Sequence, residues 1–494
     1  MGALKEFIWP IEKKELKKFL PMSLMLFFTL YNYNALRSIK DSLVVPNIGA
    51  EAISFIKFFG VVPAAIIFVL IYAKMTNVWN FRKIYFYIAG FFIGFFILFG
   101  FILYPHEVAI HPDSLYIDDL ITQSLYLGFC QVNLSHFKWF FLVYNKWLYA
   151  FFYMIAELWT VMNGLLFWQF ANQVTQTKEA KRFYPMFAFI GSFGTFTAGG
   201  VTKFCTVLQS QYNEDTVFLV QLMMSTLIIS TICIISLFEY VNCNVITNLK
   251  YLNQIKNNNL DKKMPLLESL KVIMSSRYLG YIAILVLCYG ISVNLLEGPW
   301  KATVRKLYPS TNDYIYFMAG INQWTGGVSM LFILIGASIL KKYSWFTSAI
   351  ITPVTFFVTG IAFFIFIVFD KVATTYFGTF MIFDPLLIAV FLGATQNVLS
   401  KSTKYALFDP TKEMTYIPID DELKSKGKAA VDVIGARFAK SGAAFLQSML
   451  FIILPAATYL TISTLLMTIF VIVVLIWIID VKLLSKEYSK QLNS

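Results

Sequence analysis

Trp139 to Phe170 reads WFFLVYNKWLYAFFYMIAELWTVMNGLLFWQF, long enough to cross a bilayer, with a carboxylate, Glu157, near its middle. A charge at the centre of a spanning helix costs at least ~2.5 kcal/mol, so it faces a bundle interior or a water-filled cavity. Glu157 is then either half of a buried structural ion pair or part of a substrate or ion pathway. Other charges sit at similar depth. Arg37, Lys40 and Asp41 end the first apolar run, Glu297 and Lys301 lie in a later one, and Asp432, Arg437 and Lys440 interrupt another.

The chemistry available to such a set is anion binding. Lysine holds phosphate as a point charge and arginine as a bidentate fork. Buried cations are costly without partners, which gives Glu157, Glu297 and Asp432 a role as counter-ions while no anion is present. Tyr31, Tyr33, Trp159, Trp168, Tyr289 and Trp300 lie near these charges in sequence and are candidates to stack on a base. Catalytic patterns are missing. The adjacent acidic pairs, Asp118-Asp119 and Asp420-Asp421, have no spaced partner, and there is no GxxxxGK[ST] phosphate loop. Five scattered cysteines and three histidines give no ligand spacing, so neither a metal, a cofactor nor a disulfide framework is expected.

The elements that must hold these residues are membrane helices. Of the 494 residues, 58% are hydrophobic and only 14% charged, against about a quarter charged in soluble domains. Apolar runs of spanning length fall near 19–45, 53–75, 83–104, 144–171, 184–207, 217–240, 279–300, 314–339, 346–369, 378–402, 430–455 and 459–481, which makes twelve. The fold class expected is therefore an all-α polytopic membrane protein. The net charge of +12 reads as membrane-flanking lysine and arginine rather than a nucleic-acid site. Lys13, Lys14, Lys17, Lys18, Lys74, Arg82, Lys83, Lys178, Lys181, Arg182, Lys341 and Lys342 all fall on the side of the amino terminus, while the 105–138 connection carries Glu107, Asp113, Asp118 and Asp119. Both termini are therefore expected in the cytoplasm. Arg305 and Lys306 are the exception and suggest a basic outer mouth.

One long polar stretch, 241–278, divides the chain into an amino-terminal six-helix half, 1–240, and a carboxy-terminal six-helix half, 279–494. Transporters are often built from two such parallel halves. The segment FAFIGSFGTFTAGG adds Gly191, Gly194, Gly199 and Gly200, a spacing that allows helices to approach closely.

Several motifs together resemble the nucleotide transporter family of ATP:ADP antiporters found in plastids and in rickettsiae and chlamydiae. They are Leu36-Arg37-Ser38-Ile39-Lys40-Asp41, Ala156-Glu157-Leu158-Trp159 with Phe167-Trp168-Gln169-Phe170, Arg182-Phe183-Tyr184-Pro185, Asn294-Leu295-Leu296-Glu297-Gly298-Pro299-Trp300-Lys301, and the run from Lys404 to Gly442. The resemblance spans all twelve segments, and the 404–442 run is its most specific part. It implies a fold similar to the major facilitator type and exchange of host ATP for bacterial ADP across the inner membrane of an obligate intracellular bacterium. ATP, ADP and membrane lipid are then the partners. The family's transport residues map onto Lys40, Glu157, Glu297 and a late lysine, Lys440 among those of its stretch. Thr160 and Pro299 depart from the family pattern. Other nucleotides (GTP/GDP, CTP, UTP), or proton-coupled import through Glu157 or Glu297, remain the alternatives.

Overall fold

The computed structural model describes residues 11–126, 131–175, 177–245, 276–368, 384–419, 431 and 441–493. The first stretch of chain contains α1 (Leu16–Asn47), α2 (Ala52–Val78), α3 (Phe81–Ile110), α4 (Ser114–Thr122), α5 (Lys138–Asn145), α6 (Trp147–Val174), α7 (Thr177–Gln211) and α8 (Thr216–Asn244). The second contains α9 (Arg277–Leu307), α10 (Thr311–Lys342), α11 (Trp345–Val368), α12 (Pro385–Thr403), the short α13 (Asp409–Met414), α14 (Ser441–Ile453) and α15 (Ser463–Asn493).

Among the described residues, eight helices are long and apolar enough to cross a membrane: α2, α3, α6, α8, α9, α10, α11 and α15. Helices also stand at the four other expected positions, as α1, α7, α12 and α14. Their charges, small polar residues or shorter length dilute the apolar signal. Where water is excluded, a backbone must satisfy its own polar groups, and the helix does this within one segment. Polar caps mark several starts. Asp215 accepts from the Phe218 amide, Ser310 from Asp313 at 3.1 Å, and Asp384 from Leu386 at 2.9 Å with Pro385 in the first helical turn.

The structure adds two features to this reading. The stretch from Trp139 to Phe170 is not one helix: the chain turns at Lys146, whose φ of −112° and ψ of 43° leave the helical region, so α5 ends before α6 begins. Aromatic side chains fill both sides of that turn, so an apolar run carried straight through it. Among the described residues of the 105–138 connection, α4 is capped by Asp113 and an antiparallel ribbon pairs β1 (Ser124–Tyr126) with β2 (Gln131–Asn133).

Two helices lie at the centre. Helix α1 packs against α6, α7, α8 and α10, and α9 packs against α12, α15 and α1. The glycines of α7 act on two partners rather than one. A Cβ on Gly194 would lie 2.1 Å from the Phe27 carbonyl oxygen of α1, and one on Gly199 would lie 2.4 Å from the Ala319 carbonyl oxygen of α10. Helix α7 therefore touches backbone on both sides, joining the two stretches of chain.

Candidate substrate site

Helix α1 carries Arg37, Lys40 and Asp41 at spacings of three and four residues, which put them on one side of the helix. Helix α9 carries Glu297 and Lys301 four residues apart, with Pro299 between them removing the backbone bond to the Leu295 carbonyl. Where the two helices meet, charges of opposite sign alternate. Glu157 of α6 pairs with Lys40 at 2.8 Å, Lys40 with Asp41 at 3.2 Å, Asp41 with Lys301 at 2.8 Å, and Lys301 with Glu297 at 3.4 Å. Glu297 then accepts from Arg37.

Alternation is what makes so many buried charges tolerable. An ion removed from water costs several kcal/mol, recovered only when partners of opposite sign stand close on each side. Asp41 is fully buried and takes a lysine on each oxygen, one from each stretch of chain. Lys40 also lies over the Tyr153 ring, 3.8 Å from its centroid, a cation–π contact that holds the ammonium between the ring and two carboxylates.

The chain of charges crosses between the two stretches twice with opposite polarity. Arg37 of the first meets Glu297 of the second, and Asp41 of the first meets Lys301 of the second. Neutral bonds reinforce the crossing, with Asn322 donating to the Asn34 carbonyl and to Ser38. Beyond them, towards the end where α1 finishes, Glu51 accepts from the Tyr459 amide at 2.9 Å, the His136 ring meets the Ile452 carbonyl at 2.7 Å, and Phe58 packs on Phe445. At that end the two stretches are closed on each other.

Sequence reasoning missed three cations. Lys57 lies on a wide π-helical turn, Ile56–Val61, inside α2; it donates to Asn294 at 3.3 Å and lies 3.9 Å from Glu297. Lys401 ends α12, and Lys404 opens a second π-helical turn, Lys404–Phe408. Lys404 pairs with Asp409 at 3.2 Å and lies over the rings of Tyr405 and Tyr289. Such turns insert a residue into the helical ladder and are frequent at functional sites. The signal was present, since Lys57 is a lone cation in an otherwise apolar run.

Among the aromatic candidates, two are packing residues. Trp159 is buried against Phe92, and Trp300 is buried with its indole N–H on the Val390 carbonyl. Trp168 lies edge-on to Phe167 and Tyr184. Tyr31 is buried, and Tyr289 stacks on Phe408 beside Lys404. Asp432, Arg437 and Lys440 lie outside the described residues.

The chain of alternating charges shared between two helical stretches is the candidate site. Residues 1–488 match the family described as TLC ATP/ADP transporter. The chain belongs to that family. It is 44% identical to ADP,ATP carrier protein 3 of Rickettsia bellii, covering 99% of this chain and 97% of that one. It is also 44% identical to ADP,ATP carrier protein 1 of the same species, covering 100% and 98%. Among solved structures this transporter is similar to a bacterial homologue of ferroportin, with a TM-score of 0.58 at 12% identity over 96% of this chain and all of that one. A D-xylose-proton symporter matches with a TM-score of 0.56 at 12% identity over 94% and 97%. Its fold is like theirs, almost entirely helical, with eight helices among the described residues long and apolar enough to cross a membrane.

Proposed function

We propose that this protein exchanges external ATP for internal ADP by alternating access, with the nucleotide's phosphates held at the meeting of α1 and α9. It is a transporter and not an enzyme. The observation that carries the reading is the alternating run Glu157, Lys40, Asp41, Lys301, Glu297, Arg37, drawn from both stretches of the chain.

The run explains why exchange is favoured over one-way passage. Arg37 and Lys301 are engaged by carboxylates of the opposite stretch. An arriving polyphosphate offers these cations stronger partners and releases Glu297 and Asp41 from the crossing. The tie between the stretches is then weakened only while an anion is bound, so a carrier that has just released its nucleotide stays tied until the next arrives. Differential affinity of the anion for the two states is the only source of such a shift.

The moving units in this reading are the halves 1–240 and 279–494, joined by 241–278. The membrane is the inner membrane of a bacterium, with both termini in the cytoplasm. The excess of lysine and arginine on that side supports the orientation. Asp432, Arg437 and Lys440 are assigned to the same site on sequence grounds.

The test is uptake of labelled ATP by bacterial cells producing the protein, followed by efflux of the accumulated label. Efflux that requires external ATP or ADP is the expected result. Efflux without a counter-substrate, or uptake that follows a pH gradient, would replace exchange by proton-coupled import. Competition by unlabelled GTP, CTP and UTP weaker than that by ATP and ADP is expected, and the reverse order would move the substrate to another base.

A further inference from the structure

One face of α6 stands open along much of its length. Glu157, Val161, Gly164 and Trp168 follow at intervals of four, three and four residues, which puts them in a single row along the helix. Val161 is 56% and Trp168 39% exposed, and a Cβ on Gly164 would meet nothing within 4 Å. On the opposite side Trp159, Asn163, Leu166 and Phe170 are buried. The row begins at a carboxylate that pairs with Lys40 in the charge run, so it faces the middle of the bundle and not lipid. Helix α6 starts beside the closed end, after His136 and Trp139, and the row therefore leads from the charges away from that closure.

At the far end of the row Trp168 is held in place without being covered. The rings of Phe167 and of Tyr184 on α7 each meet it in a T-shaped contact, with centroids 5.2 Å apart in both cases. Neither contact is a stack, and more than a third of the residue stays accessible. Tyr184 is itself anchored, since its hydroxyl donates to Asn172 Oδ1 at 2.6 Å, one turn beyond Trp168 on α6. From Glu157 to Trp168 the helix rises through eleven residues, about 16 Å. That is the reach of a nucleoside triphosphate laid out lengthwise.

We propose that the nucleotide lies along this row, with its phosphates in the charge run and its base stacked on Trp168. The inference rests on the nucleotide-exchange reading above and gives it a base-binding subsite. A large aromatic residue left accessible on the same helix face as a buried ion pair has no packing role to explain it, and an indole offers the flat surface on which a base stacks. Val161 and the side-chain-free Gly164 lie between the two ends, where the ribose passes. Because every base has such a face, Trp168 supplies affinity for the nucleoside part and no choice among bases.

The test uses the purified full-length carrier in detergent, with binding of ATP, ADP and inorganic tripolyphosphate measured for wild type, Trp168→Ala and Trp168→Phe. Loss of one base–aromatic stack corresponds to a loss of roughly five- to hundredfold. That loss is expected for ATP and ADP alike in Trp168→Ala, while Trp168→Phe keeps most of the affinity. Tripolyphosphate, which brings the phosphates without a base, should bind all three proteins equally, and this also shows that the variants are folded. ATP should quench the tryptophan fluorescence of wild type more than that of Trp168→Phe, and tripolyphosphate should not. Unchanged ATP binding in Trp168→Ala, a loss of tripolyphosphate binding as large as that of ATP, a Trp168→Phe protein no better than Trp168→Ala, or equal quenching in wild type and Trp168→Phe would each overturn the assignment. A wild-type protein that binds no adenine nucleotide would instead overturn the exchange reading itself.

Discussion

Arg37 donates to Glu297 across 260 residues of sequence, joining α1 to α9 at the centre of the bundle. Both side chains are about one-tenth exposed, so the pair stands in a medium where removal of either partner strands a charge. Single Arg37→Gln and Glu297→Gln variants should each slow ATP/ADP exchange about tenfold or more, and the double variant should lose less than the product of the two. A coupling of about 1.5 to 3 kcal/mol is expected from a cycle of exchange rates. Glu297→Gln should in addition bind ATP as well as wild type or better, since the phosphate no longer competes with that carboxylate. Weaker ATP binding at a normal turnover would contradict the counter-ion role.

Lys40 lies between Asp41, Glu157 and the Tyr153 ring. Lys40→Gln should weaken ATP and ADP binding together, by roughly tenfold or more, because it removes a charge that both polyphosphates share. The protein should still reach the membrane. Normal nucleotide binding with poor accumulation would make Lys40 a structural cation instead.

Gly194 and Gly199 bring α7 onto the backbones of α1 and α10. A methyl group at either place meets a carbonyl oxygen that cannot swing away as a side chain would, and such overpacking costs about 1 to 3 kcal/mol. Gly194→Ala should lower the thermal stability of the purified protein. Gly90→Ala, where the added methyl meets nothing within 4 Å, should not, and equal effects of the two would remove the packing argument.

Orientation can be read with an impermeant thiol reagent on whole cells. In a background lacking the other cysteines, Asp113→Cys should react from outside, while the exposed native Cys243, at the end of α8, should react only after the membrane is opened. The opposite pattern would place both termini outside.

His111 follows α3 in the connection and packs edge-on to Tyr149, with ring centroids 5.0 Å apart. Burial, helped by the nearby Lys146 charge, pushes its imidazole down to about 4. The unfolded chain, with the ordinary value of 6.5, then binds more protons than the folded one. The stabilisation from the neutral ring is complete above that ordinary value and is lost as the pH falls through about 4. Melting of the purified protein followed from neutral pH down through this window should show a decline that His111→Phe reduces. An identical decline in the variant would assign it to other groups.

The amino-acid sequence by itself determined that this chain lives in a bilayer, where its spanning helices run, and that charges such as Lys40, Glu157 and Glu297 stand inside them. Burial in lipid is a local property, summed over some twenty neighbours, so a run of apolar residues announces its own helix and a charge within it announces a partner. Which partner it has is another kind of question. The match of Arg37 with Glu297 and of Asp41 with Lys301 depends on how two helices far apart in sequence are rotated against each other. The fold decided too that Trp159 and Trp300 fill packing space, that Lys57 joins the cluster through a π-helical turn, and that the chain bends at Lys146 inside an apolar run. Hydropathy carries no record of rotation about a helix axis. Only the packed bundle sets Arg37 opposite Glu297 and Asp41 opposite Lys301.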